Sequence, residues 1–152
     1  MLEDTLNSDL KRALLDGDKQ LVATLRGLKS ALLYAKIAAN TRDQATPDEV
    51  IIAVLQKEAK KRQESADLYR QGGSSERAAA ELEEKAIIEH YLPQQLNEDE
   101  VVKLVNEVIA SMDQVDRSAM GAIIAKVKAQ ASGRADGSTI ARIVKAHLEK
   151  HS

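Results

Sequence analysis

The stretch "TPDEVIIAVLQKEAKKRQESADLYRQGG", residues 46–73, decides how this chain folds. It opens on Thr46, Pro47 and Glu49, a helix-start signal: a capping hydroxyl, a proline whose φ suits the first helical position, and a carboxylate able to reach back to the cap. It closes on Gly72 and Gly73, which stop a helix. At about 100° per residue, Ile51, Ile52, Leu55, Ala59, Ala66 and Tyr69 fall on one side. Lys57, Lys60 and Lys61 fall opposite, with Glu64 and Asp67 among them. Such an interleaved face is partly self-neutralised, so the basic cluster reads as a solvated surface rather than a grip for nucleic acid. Arg62 differs because it projects within the apolar stripe, one turn beyond Glu58. An unpaired guanidinium there is costly, so the sequence predicts an ion pair with Glu58 or with a carboxylate of another helix.

A long helix with one apolar side needs partners of the same kind, and the flanking sequence supplies them. Leu6, Leu10 and Leu14 mark a helix over about 2–15, which Asp16 to Asp18 end while capping the next. Leu21, Leu25, Leu28, Leu32, Ala35 and Ala39 form a seam at steps of three and four over 19–39. A fourth helix is expected from Glu76 to His90, with Pro93 preventing its continuation. Beyond Pro93 the segments shorten. Asn97 and Glu100 cap a fifth helix with Val101, Leu104, Val105, Val108 and Met112 on one face. Asp116 starts a sixth with Met120, Ile123, Ile124 and Val127 inward, and the seventh carries Ile140, Ile143, Val144 and Leu148. No stretch alternates with period two, and no internal repeat is visible. The expected fold is all-α with two helical lobes: an N-terminal long-helix domain of about four helices over 1–93 and a C-terminal three-helix domain over 94–152.

Composition removes several function classes. The 152 residues contain no Cys, so a thiolate nucleophile, a disulfide framework and a thiolate metal site are excluded. Twenty-two basic side chains against 24 acidic ones leave a net charge of −2, so attraction to a polyanion has to be local. There is no apolar run of membrane-spanning length and no secretory leader, which predicts a cytoplasmic protein without a membrane partner. No nucleotide loop of the Gly-x-x-x-x-Gly-Lys type occurs, and no pair of carboxylates stands out as acid and base. His147 and His151 share a helix-side spacing that can bind metal, but a third ligand is not nearby, so neither metal nor cofactor is expected.

Charge gathers in one place. From residue 126 onward, Lys126, Lys128, Arg134, Arg142, Lys145 and Lys150 face only Asp136 and Glu149. The turn "GRADGS" (133–138) precedes the last helix, whose free N–H groups and dipole would favour an anion. Its plain alternative is a left-handed turn at Gly133 followed by a cap at Asp136 or Ser138.

Four separated blocks, "DLKRALLDGDK…TLRGLKSAL", "VLQKEAKKRQES", "EKAIIEHYLPQQLNEDE" and "MGAIIAKVKAQASGRADGSTIARIVKAHL", resemble the GatB/YqeY family in order and across nearly the whole chain. That resemblance implies a YqeY-like, all-α, two-lobe protein related to the tail of the B subunit of the tRNA-dependent Asp/Glu amidotransferase, a carbon–nitrogen ligase with glutamine as amido donor. The tail is similar to a tRNA-holding appendage, and no catalytic residue is carried over. Met120-Gly121 and 133–137 match the family's C-terminal motifs, so the resemblance implies tRNA as a partner and Lys126, Lys128, Arg134, Arg142 and Lys145 as nucleic-acid-binding residues. Ala131 and Ser132 stand where bulkier or basic residues are expected. Two functions follow as expectations: a non-catalytic tRNA-binding module or accessory factor to amide transfer, or a protein-interaction adaptor whose second and third helices dock a partner.

Overall fold

The computed structural model describes residues 1–113 and 116–150. Among them the regular structure is all helical, as the periodicity predicts: α1 (Leu2–Asp16), α2 (Lys19–Ala38), α3 (Asp48–Gln71), α4 (Ser75–Glu89), α5 (Glu98–Ala110), α6 (Met120–Ala131) and α7 (Gly137–Lys150). A short 3-10 turn, Arg117–Ala119, leads into α6. The chain divides into two compact units, Met1–Leu92 and Pro93–Ser152, each with its own aliphatic core.

In the first unit Leu6, Leu25, Leu28, Leu32, Ile51, Leu55 and Ile88 are buried together. The α1 stripe departs from expectation: Leu14 is half exposed and Ala13 is buried instead. Steps of four drift about 40° each, so Leu14 has rotated some 80° from Leu6, whereas a step of seven returns Ala13 to within about 20°. Gly17 ends α1 with φ 72°, and the Asp18 carboxylate caps α2 by accepting the Leu21 amide at 3.2 Å. Gly73, at φ 81°, turns α3 into α4. On α3, Lys57, Lys60 and Lys61 are exposed, as a solvated face requires.

The capping expected of Thr46 is not observed. Pro47 occupies the cap position without a side-chain cap bond, and the Thr46 hydroxyl is buried with no hydrogen-bond partner. Its amide donates to Glu3 Oε2 at 3.0 Å, so a carboxylate from α1 takes the role predicted for Glu49. The exchange is reciprocal, because the Leu2 amide donates to Asp48 Oδ1 at 3.0 Å. Each of the two helix starts is thus served by the other helix, as orphan N–H groups require. Lys36 completes the junction with a 2.7 Å ion pair to Glu3. The lysine hydrogen bond, with the Thr46 amide, holds the Glu3 carboxyl below its ordinary pKa despite some burial. Midway along α1, the Tyr91 hydroxyl donates to Asp9 Oδ2 at 2.6 Å. Burial first, then that hydrogen bond and the Asp9 charge, push the phenol well above its usual pKa.

Arg62 is paired, and more heavily than expected. Its guanidinium lies 3.7 Å from Glu58 one turn back, 3.3 Å from Glu81 and 3.5 Å from Glu84, the last two on α4. One cation therefore clamps α3 to α4 against the mutual repulsion of three carboxylates.

Two variants test these junctions. Arg62→Ala leaves three converging acids without their cation and should destabilise the first unit by about 1–2 kcal/mol, between exposed and buried pairs; urea unfolding measures it. Glu3→Gln should lower stability at neutral pH by about 1 kcal/mol. Because folding lowers the Glu3 pKa, its contribution is complete above the ordinary carboxylate range and disappears as pH falls through the lowered value. Melting curves of wild type and variant should therefore converge on acidification.

Candidate functional site

The second unit is built on Val101, Val105 and Val108 of α5, Ile123 and Val127 of α6, and Ile140, Ile143, Val144 and Leu148 of α7. The Asn97 cap is realised in full: its side chain accepts the Glu100 amide at 2.8 Å and the Glu100 carboxylate accepts the Asn97 amide at 3.1 Å. Asp116 differs slightly from expectation. It accepts from the Ser118 hydroxyl and backbone amide and so caps the 3-10 turn, while α6 itself starts at Met120. The Ser118 hydroxyl, followed by backbone amides, keeps this exposed carboxyl below its ordinary pKa.

Between α6 and α7 the backbone turns through two left-handed residues, Ser132 at φ 50° and Gly133 at φ 80°. Asp136 then closes the start of α7. Its carboxylate accepts the Thr139 amide at 2.7 Å, the Ser138 hydroxyl at 2.7 Å and the Thr139 hydroxyl at 3.1 Å. The capping alternative for this turn is the one observed, and the chain's own carboxylate sits where an external anion would meet the helix dipole.

All five candidate contacts, Lys126, Lys128, Arg134, Arg142 and Lys145, are exposed. Their positions differ. Arg134 donates from Nε to the Gln94 carbonyl at 2.9 Å, and its own carbonyl accepts the Leu96 amide at 2.7 Å. Gln95 donates to the Gly133 carbonyl at 3.0 Å. The segment 94–96, which sequence reasoning treated only as a lobe boundary, is therefore pinned across the 132–134 turn. Arg142 pairs with Glu98 at 2.9 Å, fastening the first turn of α5 to α7. Lys128 lies across the start of α7: a Cβ placed on Gly137 would stand 3.4 Å from its Nζ. Lys128, Arg134 and Arg142 thus border one seam, where 94–98 crosses the turn and α7. Lys145 continues the outward side of α7, about 60° from Arg142, with Glu149 nearby on the same side. Lys126 is not part of the seam, being about 160° around α6 from Lys128. No ion pair engages Lys126, Lys128 or Lys145 among the described residues.

His147 is partly buried on α7, and His151 lies outside the described residues. No group of three His, Asp or Glu side chains that could hold a metal ion occurs among the described residues. Within that same set, no helix is long and apolar enough to cross a membrane.

A family model described as Yqey-like protein matches residues 3–148, covering all seven helices' cores and the basic seam. The chain belongs to the YqeY-like family. No curated protein matches it. In this chain Asp136 holds the start of α7, and the 94–96 segment is bonded across the turn before it.

Asp136→Ala removes three hydrogen bonds at the start of α7 and should lower the stability of the full chain by about 1–2 kcal/mol; thermal unfolding followed by circular dichroism measures it, and Asp136→Asn should recover most of the loss.

Proposed function

We propose that this YqeY-like chain is a non-catalytic RNA-binding module that contacts tRNA, acting as an accessory factor to amide transfer on mischarged tRNA. The observation that supports this most is the run of exposed cations along α6, the following turn and α7. Three of them border one seam, and Lys145 extends it by a turn. Of the two acids after residue 125, Asp136 is turned onto its own helix start, so it offsets the outward cations less than its charge suggests. With a net charge of −2 for the whole chain, the attraction is local and short-ranged. No aromatic side chain stands among these cations, so contact would be with the sugar–phosphate backbone rather than by base stacking.

The non-catalytic part of the reading rests on where perturbed groups lie. Glu3, Tyr91 and Asp116 have shifted pKa values, Glu3 and Asp116 chiefly through hydrogen bonds at helix starts and Tyr91 chiefly through burial, then its bond to Asp9. Functional sites gather such groups in one cleft, whereas these belong to separate junctions.

An adaptor role is the second reading. Leu33, Tyr34 and Ile37 are exposed on α2 beside a cleft of about 300 Å³ floored by Leu6 and Leu32. Apolar side chains exposed within one helical turn suit protein contact.

Titration with total tRNA at about 50 mM salt separates the two. Three to five phosphate contacts predict a slope of log affinity on log salt of about −2 to −4.5. Lys128→Glu with Lys145→Glu should weaken binding at least tenfold without lowering the melting temperature. Absence of binding at low salt, or indifference to the charge reversals, would remove the RNA reading and leave the adaptor.

A further inference from the structure

The cleft of about 300 Å³ beside Leu33 lies within the first unit, between α1 and α2. Leu6 and Asn7 of α1 line it with Lys29, Leu32 and Leu33 of α2, and Arg42, from the loop after α2, lines it too. Spacing dictates the α2 side. Lys29, Leu33 and Lys36 follow at steps of four and three, so they fall within about 60° of one another, with Ile37 about 40° further round. The buried seam of Leu25, Leu28 and Leu32 lies to the other side, which leaves Leu33 44% and Ile37 52% exposed. Two large aliphatic side chains that the core does not use therefore carry apolar surface from the cleft along α2.

The charge on the cleft is uneven. Lys29, Lys36 and Arg42 line it with a single acid, Glu3. That acid is already engaged: its Oε1 lies 2.7 Å from Lys36 Nζ, and its Oε2 accepts the Thr46 amide at 3.0 Å. No ion pair engages Lys29 or Arg42 among the described residues. Two exposed cations thus flank apolar surface in a chain whose net charge is −2.

We infer that this cleft, with the ridge of Leu33 and Ile37, docks an acidic peptide segment: an apolar anchor with Asp or Glu within about one helical turn of it. The inference rests on the adaptor reading and names its partner's chemistry. The anchor would lie over Leu6 and Leu32. Lys29 is about 6 Å along α2 from Leu33, so a carboxylate one turn from the anchor meets it. Charge complementarity selects this occupant, since a basic segment is repelled by Lys29 and Arg42. RNA could pair with the same cations, but its sugar–phosphate backbone has no use for an aliphatic floor, and that floor gives a base no ring to stack on. A small molecule confined to the cleft leaves Ile37 in water.

The test is selection of random 12-residue peptides displayed on phage against the full chain, then fluorescence anisotropy with the recovered peptides made synthetically. The expected peptides carry a Leu, Ile or Phe with two or more Asp or Glu within four positions. Lys29→Glu with Arg42→Glu should weaken them at least tenfold, and Leu33→Ser at least fivefold, without a fall in melting temperature because all three side chains are exposed. Lys145→Glu, on the other unit, should leave them unchanged. Peptides without acids, or peptides indifferent to the cleft variants, overturn this inference and leave the adaptor reading standing. Recovery of no peptide removes both. Loss of total tRNA binding in the Lys29 and Arg42 variant, equal to its loss of peptide binding, assigns the cations to RNA and overturns the peptide. A concentration-dependent dimer in light scattering that Leu33→Ser dissociates assigns the face to a second copy of the chain, with the same consequence.

Discussion

With neither Phe nor Trp, this chain has to exclude water almost entirely with aliphatic side chains, Tyr91 packing only at the edge of one core. Leu, Ile, Val and Ala bury less area per residue than aromatic rings, so an adequate core has to come from long continuous stripes and close helix approach. The first unit obtains this from the 20-residue α2 and 24-residue α3, and α4 folds back along α3 through a left-handed glycine. Ala59, Ala66 and Ala78 are buried, small side chains that let helices approach closely. The junctions are then held by charge: Arg62 against three acids between α3 and α4, and Glu3 with Lys36 and the Thr46 amide where α1, α2 and the start of α3 meet.

The second unit applies the same economy of side chains to shorter helices, and two of its cations act as fasteners. Arg134 and Arg142 hold the 94–98 segment against the turn and α7, yet both remain exposed. A basic residue that fastens its own fold arrives at a polyanion already oriented, losing less side-chain freedom than a lysine waving in solvent. The pairing of Arg142 with Glu98 opposes this, because a phosphate would have to compete with that carboxylate. Lys128 and Lys145 carry no such competition among the described residues, and they are the sharper probes of RNA contact.

Helix positions, the Asn97 cap, the Asp18 cap and the pairing of Arg62 with Glu58 were legible in the sequence because they depend on residues three to seven apart. Periodicity and local hydrogen-bond geometry determine them wherever the helix goes. The exchange of Glu3 and Asp48 between two helix starts was not legible, since the partners are over 40 residues apart and a local candidate, Thr46 with Glu49, satisfied the same pattern. The same holds for the seam, where Gln94 and Glu98 meet arginines that the sequence shows only as charge. By itself, then, the sequence determined which segments are helical, which side of each is apolar and where basic charge accumulates. Tertiary structure alone decided which orphan amides and carboxylates satisfy one another, and so which cations are fasteners and which are left facing solvent, because those choices turn on distances between helices that no spacing along the chain encodes.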